Sequence, residues 1–180
     1  MPSVLILYAT TEGHTGRIAE RIARTLRECG HSAETQPAQA ARDRVNPANY
    51  DGVIVGASIH YGHHPAYLRA LVLDHRAALE ARPSAFFSVS LSAGGRNPKP
   101  AAARRYIEKF LRQTGWRPEQ AVSFAGALQF SKYGAFKRLL MIVFVGLGGG
   151  DTDTSRDYEY TDWDEVDRFA RSFAQRFGHA

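Results

Sequence analysis

The stretch VLILYATTEGHTGRIA, residues 4–19, decides how the rest of the chain is read. Five apolar residues, Val4 to Tyr8, stop abruptly at Ala-Thr-Thr-Glu-Gly-His-Thr, and a helical pattern follows with Ile18, Ala19, Ile22, Ala23 and Leu26 on one face. That order predicts a buried strand, a tight hydroxyl-rich turn, and a helix from Thr15 to Cys29 whose N-terminus faces back along the strand. Unpaired backbone N–H groups and the positive end of the helix dipole make such a junction an anion site. Thr10, Thr11 and Thr15 add neutral donors, so a phosphate held here needs no Lys or Arg. The turn has neither the G-x-G-x-x-G spacing of dinucleotide folds nor the Gly-Lys-Ser/Thr ending of a P-loop.

Working outward, the chain alternates strand and helix. Gly30 suits the end of the first helix, and a short strand is expected over His31 to Thr35. Gln36 to Tyr50, with two prolines and two asparagines, reads as a connection with little regular structure. Gly52 to Ala57 is a short apolar run of the kind found in central parallel strands. Pro65 then opens a helix that carries Leu68, Leu71 and Val72 to about Ala81. Ser84 to Leu91 is a second buried strand, Pro100 to Thr114 a helix, and Ala121 to Leu128 a last strand. Thr161 is placed as the N-cap of a final helix whose inner stripe is Val166, Phe169, Ala170 and Phe173. The expectation is one α/β domain over residues 1–180, a flavodoxin-like three-layer sandwich around a five-stranded parallel sheet of order 2-1-3-4-5.

The 180 residues carry one cysteine and a net charge of +5. Cys29 is expected to be a packing residue, and no Cys/His spacing suggests a metal site. The chain enters its first strand at once, which predicts no signal peptide and a cytoplasmic location. No acid occurs between Glu119 and Asp151, whereas acids outnumber bases beyond residue 150. A basic body favours an anionic partner. Arginines with little interleaved aromatic pattern argue only weakly for nucleic acid, and none is expected as a partner.

In a doubly wound sheet, ligands sit beyond the carboxyl ends of the strands where the strand order reverses. Three loops leave those ends. The first is Thr10, Thr11, Glu12, Gly13, His14 and Thr15. The second begins Ser58, Ile59, His60, Tyr61 and Gly62, and the third Ser90, Leu91, Ser92, Ala93 and Gly94. The first loop resembles the phosphate loop of the flavodoxin family, T-x-x-G-x-T-x-x-x-A after an aromatic. That resemblance implies FMN, with the second and third loops flanking its ring. Tyr61 is the aromatic available to cover one face and Gly62 the peptide beside the reactive nitrogen. The third loop has no aromatic, which leaves a face open for a flat substrate. His60 and His63 are candidates for moving protons.

Residues 129–157 exceed what a five-stranded unit requires. This insertion joins Lys132, Tyr133, Lys137 and Arg138 to an apolar run from Leu139 to Leu147. That run is too short to span a bilayer, which takes about twenty residues. A membrane surface, a lid over the site and a dimer interface are all compatible with it. Taken with GASIHYGH (residues 56–63), Trp116-Arg117-Pro118, GGDTDT (149–154) and Tyr160-Thr161-Asp162-Trp163, the chain resembles the menaquinone-dependent protoporphyrinogen oxidases, a long-chain flavodoxin-like family of haem biosynthesis. The resemblance implies FMN-dependent oxidation of protoporphyrinogen IX to protoporphyrin IX. The electrons would pass to a membrane quinone at the inner face of the cell membrane, and the four insertion residues named above would meet substrate or membrane. The competing readings are a flavodoxin-type electron carrier and an NAD(P)H:quinone oxidoreductase.

Overall fold

The computed structural model describes residues 1–41, 44–94, 97–128 and 157–178. Its central sheet is parallel, in the order β2-β1-β3-β4-β5, built from β1 (Ser3–Ala9), β2 (Ser32–Pro37), β3 (Gly52–Ser58), β4 (Ser84–Ser90) and β5 (Gln120–Ala125). The strand order expected from the sequence is the one observed.

Side-chain alternation divides the strands between two cores. Val4, Ile6, Ile54, Ala85 and Phe87 face α1 (His14–Glu28) and the last described α-helix, Trp163–Ala174. Leu5, Leu7, Val53, Val55 and Phe86 face the other way, toward Leu68, Leu71, Ile107 and Phe110. Those four come from α3 (Ala66–Asp74) and α5 (Pro100–Thr114), which follow the short α2 (Ala38–Ala41) and α4 (Arg76–Glu80) in chain order. The last helix is therefore α6. β3 and β4 are covered on both faces, hence burial that runs along almost every residue of both strands. Gly56 has a steric reason: a Cβ there would lie 1.9 Å from Cζ of Phe87, opposite it on β4. The glycine makes room for a ring beneath the carboxyl end of the sheet.

Several expectations are corrected. The connection after β2 contains α2 and a 3₁₀ turn at Pro47–Asn49, capped by Asn46 Oδ1 accepting from the Ala48 N–H. The helix expected to run to Ala81 is broken at His75, whose φ of −109° and ψ of 11° lie outside the helical region. Asp162, not Thr161, caps α6, its Oδ1 accepting from the N–H groups of Asp164 and Glu165. Cys29 is exposed, not packed. The last strand ends at Ala125. The chain pivots at Gly126, and β6 (Ala127–Leu128) pairs antiparallel with β7 (Tyr158–Glu159). The pivot carries Gly126 and Ala127 over the end of the sheet. Lys132, Tyr133, Lys137 and Arg138, expected to meet substrate or membrane, lie outside the described residues.

Candidate functional site

The junction of β1 and α1 forms as its sequence requires. Gly13 is the N-cap with φ +90°, a conformation that favours glycine. Its N–H donates to Thr10 Oγ1 at 2.9 Å, closing the turn. No side chain caps α1 and no acid stands in its first turn. The leading N–H groups of a 15-residue helix are thus left without an intrahelical acceptor, beside buried Thr15.

A cleft opens in front of them. Thr10, Thr11, Glu12, His14 and Thr15 form one wall. Ser58, Ile59 and His60 from the second loop and Ser90 and Leu91 from the third, all expected there, line it as well. Backbone hydrogen bonds hold these loops in line: Ile59 N–H donates to Val89 O at 2.8 Å and Gly126 N–H to Ser90 O at 3.1 Å. Tyr160 N–H donates to Gly126 O at 3.1 Å, tying the restart of the chain to the same edge.

His14 is buried, and its Nε2 lies 2.6 Å from Thr161 Oγ1. The single hydroxyl proton of Thr161 is given to Ala125 O at 2.7 Å. The network therefore assigns the donor role to the Nε2–H of His14. This chain ties the start of α1, the end of β5 and the start of α6 into one support behind the cleft.

Other expected residues lie at the rim. His60 and His63 exchange two backbone hydrogen bonds, 2.9 and 3.1 Å, across Tyr61 and Gly62. With φ of +48° and +77°, those two central residues make the hairpin turn that needs left-handed conformation twice. Tyr61 is 67% exposed at its tip, outside the cleft lining, with its ring against His60. Holding a tyrosine there costs about 1–3 kcal/mol. Ser92 and Ala93 belong to a 3₁₀ turn. Gly94 is a packing position, since a Cβ would lie 2.5 Å from Ala125 Cβ.

Sequence reasoning missed Val89, Gly126 and Ala127, which also line the cleft. The rule that ligands sit at strand carboxyl ends applies to the end of β5 as well, and would have found the last two.

On its far side the second loop borders a separate groove of about 200 Å³ between α3 and α5. Gly62, His63 and His64 contribute from the loop, Arg69 from α3, and Tyr106, Lys109 and Phe110 from α5. His63 Nδ1 accepts from Lys109 Nζ at 3.0 Å. His64 reaches inward to Ser88 Oγ at 3.0 Å and lies edge-on to Phe86 and Phe110. Burial, helped by His63 and Lys109, pushes its pKa down to about 4, so it is neutral near pH 7.

The cleft fits the phosphate-bearing end of a flavin. Its helix terminus is uncapped and unopposed by acid in the first turn, its donors are neutral, and the buried Ser90 Oγ lacks a hydrogen-bond partner among the described residues.

Comparison with known proteins agrees with this architecture. Residues 5–155 match a family described as a flavodoxin domain. The chain is 41% identical over 174 residues to a protein of Leishmania major named protoporphyrinogen IX dehydrogenase [quinone], covering 96% of this chain and 75% of that one. A protein of the same name from Escherichia coli is 36% identical over 170 residues, with 94% and 93% covered. Among solved structures, oxidised flavodoxin 2 from Bacillus cereus superposes with a TM-score of 0.55 at 20% identity, over 97% of this chain and 99% of that one. Together with the cleft at the strand ends, these matches make the chain a member of the flavodoxin-domain family that includes the quinone-linked protoporphyrinogen IX dehydrogenases.

Proposed function

We propose that this protein holds FMN in the cleft, oxidises protoporphyrinogen IX to protoporphyrin IX, and passes the electrons to a membrane quinone, menaquinone in the first instance. The observation that carries the reading is the similarity to dehydrogenases of that name across nearly the whole chain. The bound flavin supplies the two-electron acceptor chemistry. The protein's own residues supply the rest. The α1 terminus with Thr10, Thr11 and Thr15 holds the phosphate. Ser58 to Gly62 and Ser90 to Gly94 border the ring, and Ser90 offers a hydroxyl to it. The third loop, built of small residues, leaves an approach for a flat macrocycle. His60, in the cleft lining, is the better placed of the two histidines to move a proton, because His63 turns to Lys109.

The acceptor side belongs to the insertion. Lys132, Tyr133, Lys137 and Arg138 meet the membrane surface or the substrate, with the protein working at the inner face of the cell membrane. No helix among the described residues is long and apolar enough to cross a membrane.

An anaerobic assay tests the reading. Purified yellow protein is mixed with protoporphyrinogen IX and with menadione, a ubiquinone analogue or no acceptor, and porphyrin fluorescence is followed. A quinone-dependent rise supports the proposal, and no rise with any quinone removes it. An arm with NADPH in place of porphyrinogen separates it from the NAD(P)H:quinone oxidoreductase reading.

A further inference from the structure

We infer that the groove between α3 and α5 is a carboxylate site that takes a propionate arm of the tetrapyrrole, with Arg69 and Lys109 as its cations. The inference rests on the function proposed above and adds a substrate-binding site to it.

The groove and the cleft share one loop. Ser58, Ile59 and His60 line the cleft, and after the two-residue turn Gly62, His63 and His64 line the groove. The hairpin pairing of His60 with His63 keeps the two sides about 5.5 Å apart at Cα. A tetrapyrrole carries its propionates on the ring rim, several bonds from the carbons being oxidised. A ligand whose ring meets the cleft therefore needs its carboxylates met nearby, and not in the cleft itself, where no Lys or Arg stands.

The lining has the matching chemistry. Arg69 and Lys109 face the groove, no Asp or Glu lines it, and neither cation has a carboxylate within ion-pair distance among the described residues. Lys109 gives one donor to His63 Nδ1 and keeps two. Tyr106 and Phe110 supply an aromatic wall, Phe110 being stacked on Phe86 at 4.7 Å. Cations beside a flat apolar wall suit a carboxylate on a short hydrocarbon arm. A volume of about 200 Å³ admits that arm and excludes the macrocycle. A merely solvated basic face would have neither the concavity nor the aromatic wall.

The test compares protoporphyrinogen IX with its dimethyl ester, using flavin-loaded protein and menadione. In the wild-type protein the diacid is expected to show a KM lower than the ester's by on the order of tenfold to a hundredfold, the scale of charge-assisted hydrogen bonds. Arg69→Ala/Lys109→Ala is expected to abolish that preference, and Arg69→Lys/Lys109→Arg to keep most of it. Equilibrium binding of deuteroporphyrin IX and its dimethyl ester, read by tryptophan fluorescence, measures the same preference without turnover. Flavin content and circular dichroism establish that the variants fold.

Retention of the wild-type acid preference in the Ala double variant overturns the assignment, as does a wild type with no preference. If that variant loses binding to phosphatidylglycerol vesicles but keeps its acid preference, the groove takes a headgroup phosphate, and the propionate assignment is overturned. Acid-selective binding of deuteroporphyrin that depends on Arg69 and Lys109 in a wild type that forms no porphyrin would sink the catalytic reading and support the groove. Absence of both sinks both.

Discussion

The two sides of the second loop solve the same electrostatic problem in different ways. In the cleft, an anion would meet hydroxyls and the uncapped N–H groups of α1, with no Lys or Arg in the lining. In the groove, Arg69 and Lys109 stand over an aromatic wall. Helix-terminus donors are fixed by the backbone and pay little conformational entropy, which suits a cofactor that stays bound. Long cationic side chains lose rotamer freedom on each capture and regain it on release, which suits a ligand that comes and goes. The difference teaches that a basic protein need not place its charge at every site that could take an anion.

Four changes break or sharpen this contrast, the largest first. Phe110 is 2% exposed and forms the groove's wall, so Phe110→Ala should cost about 3–5 kcal/mol in urea unfolding and erase the wall. The cleft, which Phe110 does not line, should keep its flavin in the folded variant.

The second concerns pH. His64 has its pKa lowered from 6.5 to about 4. Between those values the unfolded chain binds a proton that the folded chain refuses, so stability falls as pH drops through the window and is constant from this source above it. The proton preference lost across that window corresponds to about 3 kcal/mol. Unfolding at pH 7 and pH 4 should show that extra acid loss in the wild type and not in His64→Gln. An equal loss in both would assign the acid sensitivity to other groups.

Third, Thr10→Val/Thr15→Val removes neutral donors from the cleft and the acceptor that closes the Gly13 turn. At about 1 kcal/mol each, flavin affinity should fall by about thirtyfold, measured by titrating flavin into the apoprotein. The groove's acid preference should survive. Fourth and smallest, Thr161→Val breaks the link from His14 to Ala125 O and should lower stability by about 1 kcal/mol in chemical unfolding.

The sheet was legible because its signals are local. Apolar runs at Val4, Gly52 and Ser84 with helical stripes between them leave few topologies. The turn between β1 and α1 was legible for the same reason: Gly13 and its threonines lie within six positions of one another. What escaped depends on tertiary placement. Thr161 has the residue type of an N-cap, but its hydroxyl is committed to Ala125 O and to His14, so Asp162 caps α6. The break at His75 has no Gly or Pro to announce it. The hairpin at Tyr61 was hidden because tyrosine is a poor candidate for a left-handed turn. The groove draws on the second loop, α3 and α5. Its one sequence trace is the spacing of Tyr106, Lys109, Phe110 and Gln113 on a single helical face.

The central claim is that a reduced tetrapyrrole, and not a nicotinamide, empties its electrons into this cleft. The most direct measurement is the flavin absorbance of the purified protein, followed anaerobically after mixing with protoporphyrinogen IX or with NADPH. Bleaching by protoporphyrinogen alone, restored by menadione with a matching rise of porphyrin fluorescence, is the predicted result. Bleaching by NADPH with no response to protoporphyrinogen would contradict it.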